Sequence, residues 1–223
     1  MTTSQPKLPD LADLPYARAL VPHEGDDLDP DGTFDTVLFE RAEFEAANAP
    51  SARFLECAFR QVSITGAKMQ RSTLRDVWAR DLRLTAVNLA ESHWHEVTMI
   101  GSALAGAQLF GAELRDVVFS GCKLDSVNFR ASRLTGVRFE NCVLRDVDFL
   151  DASLTKCSFR GSQLTRVDLT RVTMDQTDLR GAELGVIIDT TSLSGAIIST
   201  AQLAQAAPVL AETLGIVVED DQD

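Results

Sequence analysis

Glu56, Asp76, Glu96 and Asp116 recur at a constant separation of 20 residues. That spacing gathers four carboxylates only if the chain returns on itself once in every 20 residues. Stacked so, they would form a row of like charges about 4.8 Å apart. Such a row suits a basic groove on another macromolecule, and it costs stability unless Arg75, His95 or Arg115, each one residue before a member of the row, relieves it. His93 and His95 flank Trp94 and point the same way, but no third ligand is spaced to complete a metal site with them. Cys57, Cys122, Cys142 and Cys157 all fall at small inward positions and read as buried hydrophobes, with Cys122 and Cys142 one coil apart. No Ser-His-Asp set or phosphate loop has usable spacing, so neither an enzyme nor a cofactor is expected.

The elements that must position these groups follow a beat of five. Phe34, Phe39, Phe44, Ala49, Phe54, Phe59, Ile64 and Met69 open a series that runs unbroken to Leu179 and Leu184, and only Ala49 and Ala79 in it are not large and apolar. Two residues before each centre lies a second set, small or Val everywhere except Leu82. A period of five fits neither helix nor continuous strand. The chain must turn, with centre and small residue facing in and the other three facing out. Each unit buries its inner face only by stacking on neighbours, which defines a solenoid.

Blocks such as GAELR, VNLAE, VDLTR, TDLRG and GAELG resemble the pentapeptide-repeat family. The resemblance implies an all-β solenoid, a right-handed quadrilateral β-helix of about eight coils with four pentapeptides per coil. Consistent with four sides, Phe119, Phe129, Phe139, Phe149 and Phe159 alternate with leucines, which predicts phenylalanine stacks on two opposite walls.

The charge of −12 is unevenly held. Residues 34–184 carry 20 acidic and 19 basic side chains, so the rod is nearly neutral and the ends are acidic. This argues against a basic nucleic-acid-binding face. The wall of Phe39 and Phe59 carries Arg41, Arg60, Arg80, Arg138, Arg160 and Arg180, with an uncharged middle at Ile100, Gly101, Ser120 and Gly121. No apolar run is long enough to span a membrane, and the first residues lack a basic start and an apolar stretch, so a cytoplasmic protein is expected.

In chain order, residues 1–31 read as an acidic, proline-rich leader and cap, with a short helical turn within Leu11–Leu20. Residues 32–198 are the β-helix. Pro50 beside Ala49 predicts an unpaired or bulged wall. After Leu184 the phase slips by one residue and resumes at Leu193 and Ile198. Residues 199–218 form a helical module capped by Ser199 or Thr200, broken by Pro208 into two short helices and closed by Gly215, with an acidic tail at 219–223. This ending is similar to that of the fluoroquinolone-resistance (MfpA and Qnr) branch of the family. The resemblance implies a homodimer through Leu203, Leu210, Leu214 and Ile216, and a partner in DNA gyrase or topoisomerase IV, bound by imitation of duplex DNA. The alternative is a scaffold rod with an unrelated protein partner.

Overall fold

The computed structural model describes residues 8–25, 27–189 and 192–219. Asp26 of the leader's acidic run and the acidic end at 220–223 lie outside the described residues. The repeat region is a right-handed quadrilateral β-helix, about nine turns in all, and a single helix follows it. Its short strands are parallel and paired at 20-residue offsets: Phe34 beside Phe54, Phe54 beside Leu74, and Trp94 between Leu74 and Leu114.

The four walls are stacks of centres. The first runs from Phe34 through Trp94 to Met174, the second from Phe39 through Phe139 to Leu179, the third from Phe44 to Leu184 and the fourth from Ala49 to Leu169. Together they fill one continuous core. Phe139 lies flat between Phe119 and Phe159, at 5.0 Å and 4.8 Å between ring centroids, while Phe129 and Phe149 stack at 5.0 Å on the opposite wall. Rings on the two walls meet edge to face at 6.5 Å and 6.3 Å, the arrangement that aromatic quadrupoles favour.

What turns the chain is a corner residue two positions after each centre. Every fifth residue from Asp31 to Gly181 has a positive φ, and most of them are not glycine. Left-handed backbone costs a residue with a Cβ roughly 1 kcal/mol. The corners offset it because their N–H groups join the ladder, as from Glu56 to the Arg75 carbonyl (2.9 Å) and from Asp116 to that of Thr135 (2.9 Å).

Pro50 leaves the wall intact, contrary to the expectation of a bulge. On the fourth wall the residue after the centre points its N–H away from the ladder. At Ala90, Arg130, Leu150 and Thr170 that N–H donates to the Asn or Asp side chain two residues earlier. A proline there loses no ladder bond. Its own carbonyl accepts from Asp31 and its neighbour Ser51 donates to Gln70, both at 2.9 Å.

Both ends are closed. At the first coil Val21–Pro22 adds a strand to Val37–Glu40, Leu28 enters the core, and the His23 ring packs on Phe39 at 4.6 Å. The leader before it forms a single 3-10 turn at Leu11–Asp13 and lies along the flank. At the other end the strand Glu183–Ile187 pairs with Gln163–Asp168 through a one-residue irregularity, with Val186 opposite Val167, which is the slip in phase that the sequence implies.

Helix α1 (Thr200–Thr213) is continuous, so Pro208 does not divide it. The ring removes one N–H, whose acceptor would be the Ala204 carbonyl. Ala204 is exposed, so water can take that place. Ser199 and Gln202 form a reciprocal capping box (3.2 and 2.8 Å). Gly215 (φ +71°) and Ile216 donate to Glu212 and Ala211, closing a Schellman motif.

Candidate functional site: an acidic edge on the rod

Glu56, Asp76, Glu96 and Asp116 are corner residues, with φ of 50–55°. They occupy successive coils along the edge between the first and second walls. Because a corner side chain leaves the rod outward, Glu56, Glu96 and Asp116 are exposed and Asp76 is half-buried. The row ends where Gly136 replaces a side chain; a Cβ there would meet the Asp116 carboxylate at 2.6 Å.

Arg75, His95 and Arg115 do not relieve the row. Among the described residues none of the four acids has an ion-pair partner within 4 Å, and neither has any of these three side chains. The residue before a corner lies on the flat of the wall, so its side chain diverges from that of the corner. Repulsion falls instead on protonation. A hydrogen bond with Asp76, and then its charge, holds the Glu96 carboxyl above its ordinary range, Asp116 adding to the effect and His95 opposing it.

Several other acids of the rod are paired. Glu113 pairs with Arg133 (2.8 Å), Asp146 with Arg166 (2.6 Å) and Asp151 with Arg171 (2.6 Å), and Asp125 also pairs with Arg145. In each case the partner stands in the same column one coil further on. Hydrogen bonds from those arginines hold the Asp125, Asp146 and Asp151 carboxyls below the usual range. The second-wall arginines are partly neutralised as well, Arg60 by Glu40, Arg138 by Glu140 and Arg180 by Asp178.

These opposite shifts give opposite pH dependences. The arginine-paired aspartates stabilise the fold above their unfolded pKa of about 3.9, and that contribution is lost as pH falls through their lowered folded values. Glu96 has a raised folded value, so it disfavours the fold at neutral pH and the penalty fades as pH falls through that value. E96Q is therefore expected to raise Tm by about 1–2 °C at pH 7 and low salt. Melting curves of both proteins should converge towards pH 4.5; a variant no more stable at pH 7 would mean that the row carries no strain.

The leader approaches this edge, which the sequence did not signal. Trp78 occupies an outward position on the second wall, yet is only 1% exposed. The leader covers it: the indole N–H donates to the Pro9 carbonyl (3.0 Å), Arg80 pairs with Asp10 (2.7 Å), and the Tyr16 hydroxyl reaches the Cys57 carbonyl (3.5 Å). Burial, and then the charges of Asp76, Cys57 and Glu56, push the Tyr16 phenol up, which sets the leader beside the first half of the row. A clue lay in Ala58, the small residue in register with Trp78 on the coil before it.

The remaining candidates sort as follows. His93 lies 3.8 Å from Glu113, and among the described residues no group of three His, Cys, Asp or Glu could hold a metal. All four cysteines are free and buried. Burial pushes Cys57 and Cys157 up to about 11, and a hydrogen bond with Cys122 together with burial holds the Cys142 thiol above its ordinary value. On α1 and just beyond it, Leu203, Leu214 and Ile216 are 50%, 61% and 55% exposed, while Leu210 is half-buried. Among the described residues no helix is long and apolar enough to cross a membrane.

Comparison with known proteins bears on this geometry. A family profile described as "Pentapeptide repeat region" matches residues 32–109 and 100–169. No curated protein matches the chain in sequence. Among solved structures, a trypsin-treated form of QnrB1, a plasmid-mediated fluoroquinolone resistance protein, is 19% identical, with 87% of this chain and 100% of that one covered at a TM-score of 0.46. The pentapeptide repeat protein Rfr23 from the cyanobacterium Cyanothece 51142 is 17% identical over 46% of this chain and 64% of its own, at a TM-score of 0.36. HetL, involved in heterocyst differentiation regulation in the cyanobacterium Nostoc sp. strain PCC 7120, is 16% identical over 76% and 90%, at 0.28.

Proposed function

The chain belongs to the pentapeptide-repeat family, and from that premise we propose that it is a non-enzymatic rod that docks its acidic edge into a basic groove of DNA gyrase or topoisomerase IV. Docking there would modulate the enzyme or protect it from quinolones. The observation that carries this reading is the row itself: Glu56, Asp76, Glu96 and Asp116 fill four successive corners of one edge with no ion-pair partner among the described residues, whereas Asp125, Asp146 and Asp151 are each paired to the arginine next in their own column. Unpaired surface carboxylates cost the fold a little and contribute nothing to it. A partner that supplies lysines and arginines recovers that energy and is drawn in by it.

The apolar side chains on α1 and the exit Ile216–Val218 support association through the C-terminal module, with Leu203, Leu210, Leu214 and Ile216 in a homodimer interface. Light scattering after size exclusion should then give twice the mass of the 24.3 kDa chain. L214E/I216E should give a monomer, and a wild-type monomer at all concentrations ends the dimer proposal.

A supercoiling assay with purified gyrase tests the main reading. The wild-type protein is expected to reduce supercoiling or quinolone-stabilised cleavage, and E56Q/D76N/E96Q/D116N to need about tenfold more protein for the same effect. No effect of the wild type well above the enzyme concentration removes gyrase. An unchanged effect of the variant exonerates the edge. A second reading, a scaffold rod for an unrelated protein, is favoured by the near-equality of 20 acids and 19 bases over residues 34–184, since duplex DNA carries one sign only.

A further inference from the structure

In several columns of the rod an acid is followed one coil on by an arginine that neutralises it: Glu113 then Arg133, Asp125 then Arg145, Asp146 then Arg166, Asp151 then Arg171. The edge between the first and second walls does not follow that pattern. Its corner column is Glu56, Asp76, Glu96, Asp116. The column beside it, on the flat of the first wall, is Arg75, His95, Arg115, with His95 in direct register with both arginines. Charges there are sorted by sign into two parallel rows, and among the described residues no member of either row makes an ion pair.

The cationic row also borders a shallow groove of about 420 Å³, with Leu74, Trp94 and Leu114 along it and Thr73, His93, Glu113 and Arg133 among its other residues. On that far side Glu113 is already engaged by Arg133 and His93. The open cations are therefore those next to the acids. A free anion on Arg75 and Arg115 would sit close to Asp76 and Asp116 and be repelled, and a purely basic surface laid on the acids would be repelled by the arginines. Only a surface sorted in the same way satisfies both rows.

Resting on the reading that the acidic edge docks into a topoisomerase, we propose that its partner is a zwitterionic protein groove, a basic row with acidic side chains beside it, and that Arg75, His95 and Arg115 are specificity determinants of the contact. The rod is thereby recognised by its pattern of signs, and a simple polyanion does not reproduce it. Like-charge contact is what excludes wrong partners at such a surface.

The sign of one effect tests this. R75E/R115E makes the wall more negative by four charges, and R83E/K123E does the same on the opposite, third wall. In the gyrase supercoiling assay R75E/R115E is expected to lose about tenfold in potency and R83E/K123E to keep the wild-type value. Equal or greater potency of R75E/R115E, in a preparation whose wild type is active, overturns the sorted-charge proposal and leaves gyrase docking in place. An inactive wild type removes both. R75Q/R115Q, which adds no charge, should lose about threefold and decides the matter if the reversal fails to fold by circular dichroism.

Discussion

Replacing Phe139 with Ala is expected to cost about 3–5 kcal/mol and to split the unfolding of the rod into two steps. Phe139 is fully buried, stacked on Phe119 and Phe159, and meets Phe129 and Phe149 edge to face. No loop or second layer can collapse into the gap, because the side chains around it are themselves pinned by the coils above and below. In an array where each coil touches only its neighbours, a weak interface in the middle uncouples the two halves. A urea titration followed by circular dichroism should show two transitions where the wild type shows one. A single transition displaced by less than about 1 kcal/mol would contradict this picture of the core. Val143→Ala, at an outward position on the third wall, is the control and should stay within about 0.5 kcal/mol.

Gln202→Leu is expected to release helix α1 from the end of the rod. The Gln202 amide donates to the carbonyls of Leu179 (2.6 Å) and Ala182 (2.8 Å), and its oxygen accepts from the Ser199 N–H. One buried side chain thus caps the helix and satisfies carbonyls of the last coil. Leucine fills the space but strands the Ala182 carbonyl and the Ser199 N–H, while the Leu179 carbonyl keeps only the Ala182 N–H, at about 1–3 kcal/mol for each group stranded. Loss is local: hydrogen exchange should speed up across Thr200–Thr213 while the centres from Phe39 to Leu169 keep their protection. If the helix exchanges as slowly in the variant as in the wild type, its anchorage lies in the apolar contacts of Leu193, Ala206 and Val209.

The sequence disclosed the interior of this protein more fully than its exterior. Centres such as Leu124 and Phe159 face in because only a large apolar residue recurs there, and their burial follows from composition and period alone. The phase slip after Leu184 was readable for the same reason. Proline was the misleading residue. At position 50 it sits where the N–H is not used in the ladder, and at 208 it sits on a solvent-facing turn; rules for sheets and helices in general do not register which N–H groups are spare. The corners were legible in retrospect, since Gly and Asp cluster at them, but so many are Arg, Glu or Ala that no single residue type announces the left-handed backbone. The acidic edge was predicted as a row. Its lack of partners was not, because side-chain divergence at a corner depends on backbone angles that spacing does not encode.

The 20-residue offset of every wall makes the length of this molecule a free variable. A coil removed from the middle, with its four corners, would let the strands on either side re-pair in the same register, since centre follows centre on each wall. The leader and the terminal helix would draw nearer by about 4.8 Å, unchanged in themselves. Reach can therefore be tuned one notch at a time, as on a vernier, without redesigning either terminus.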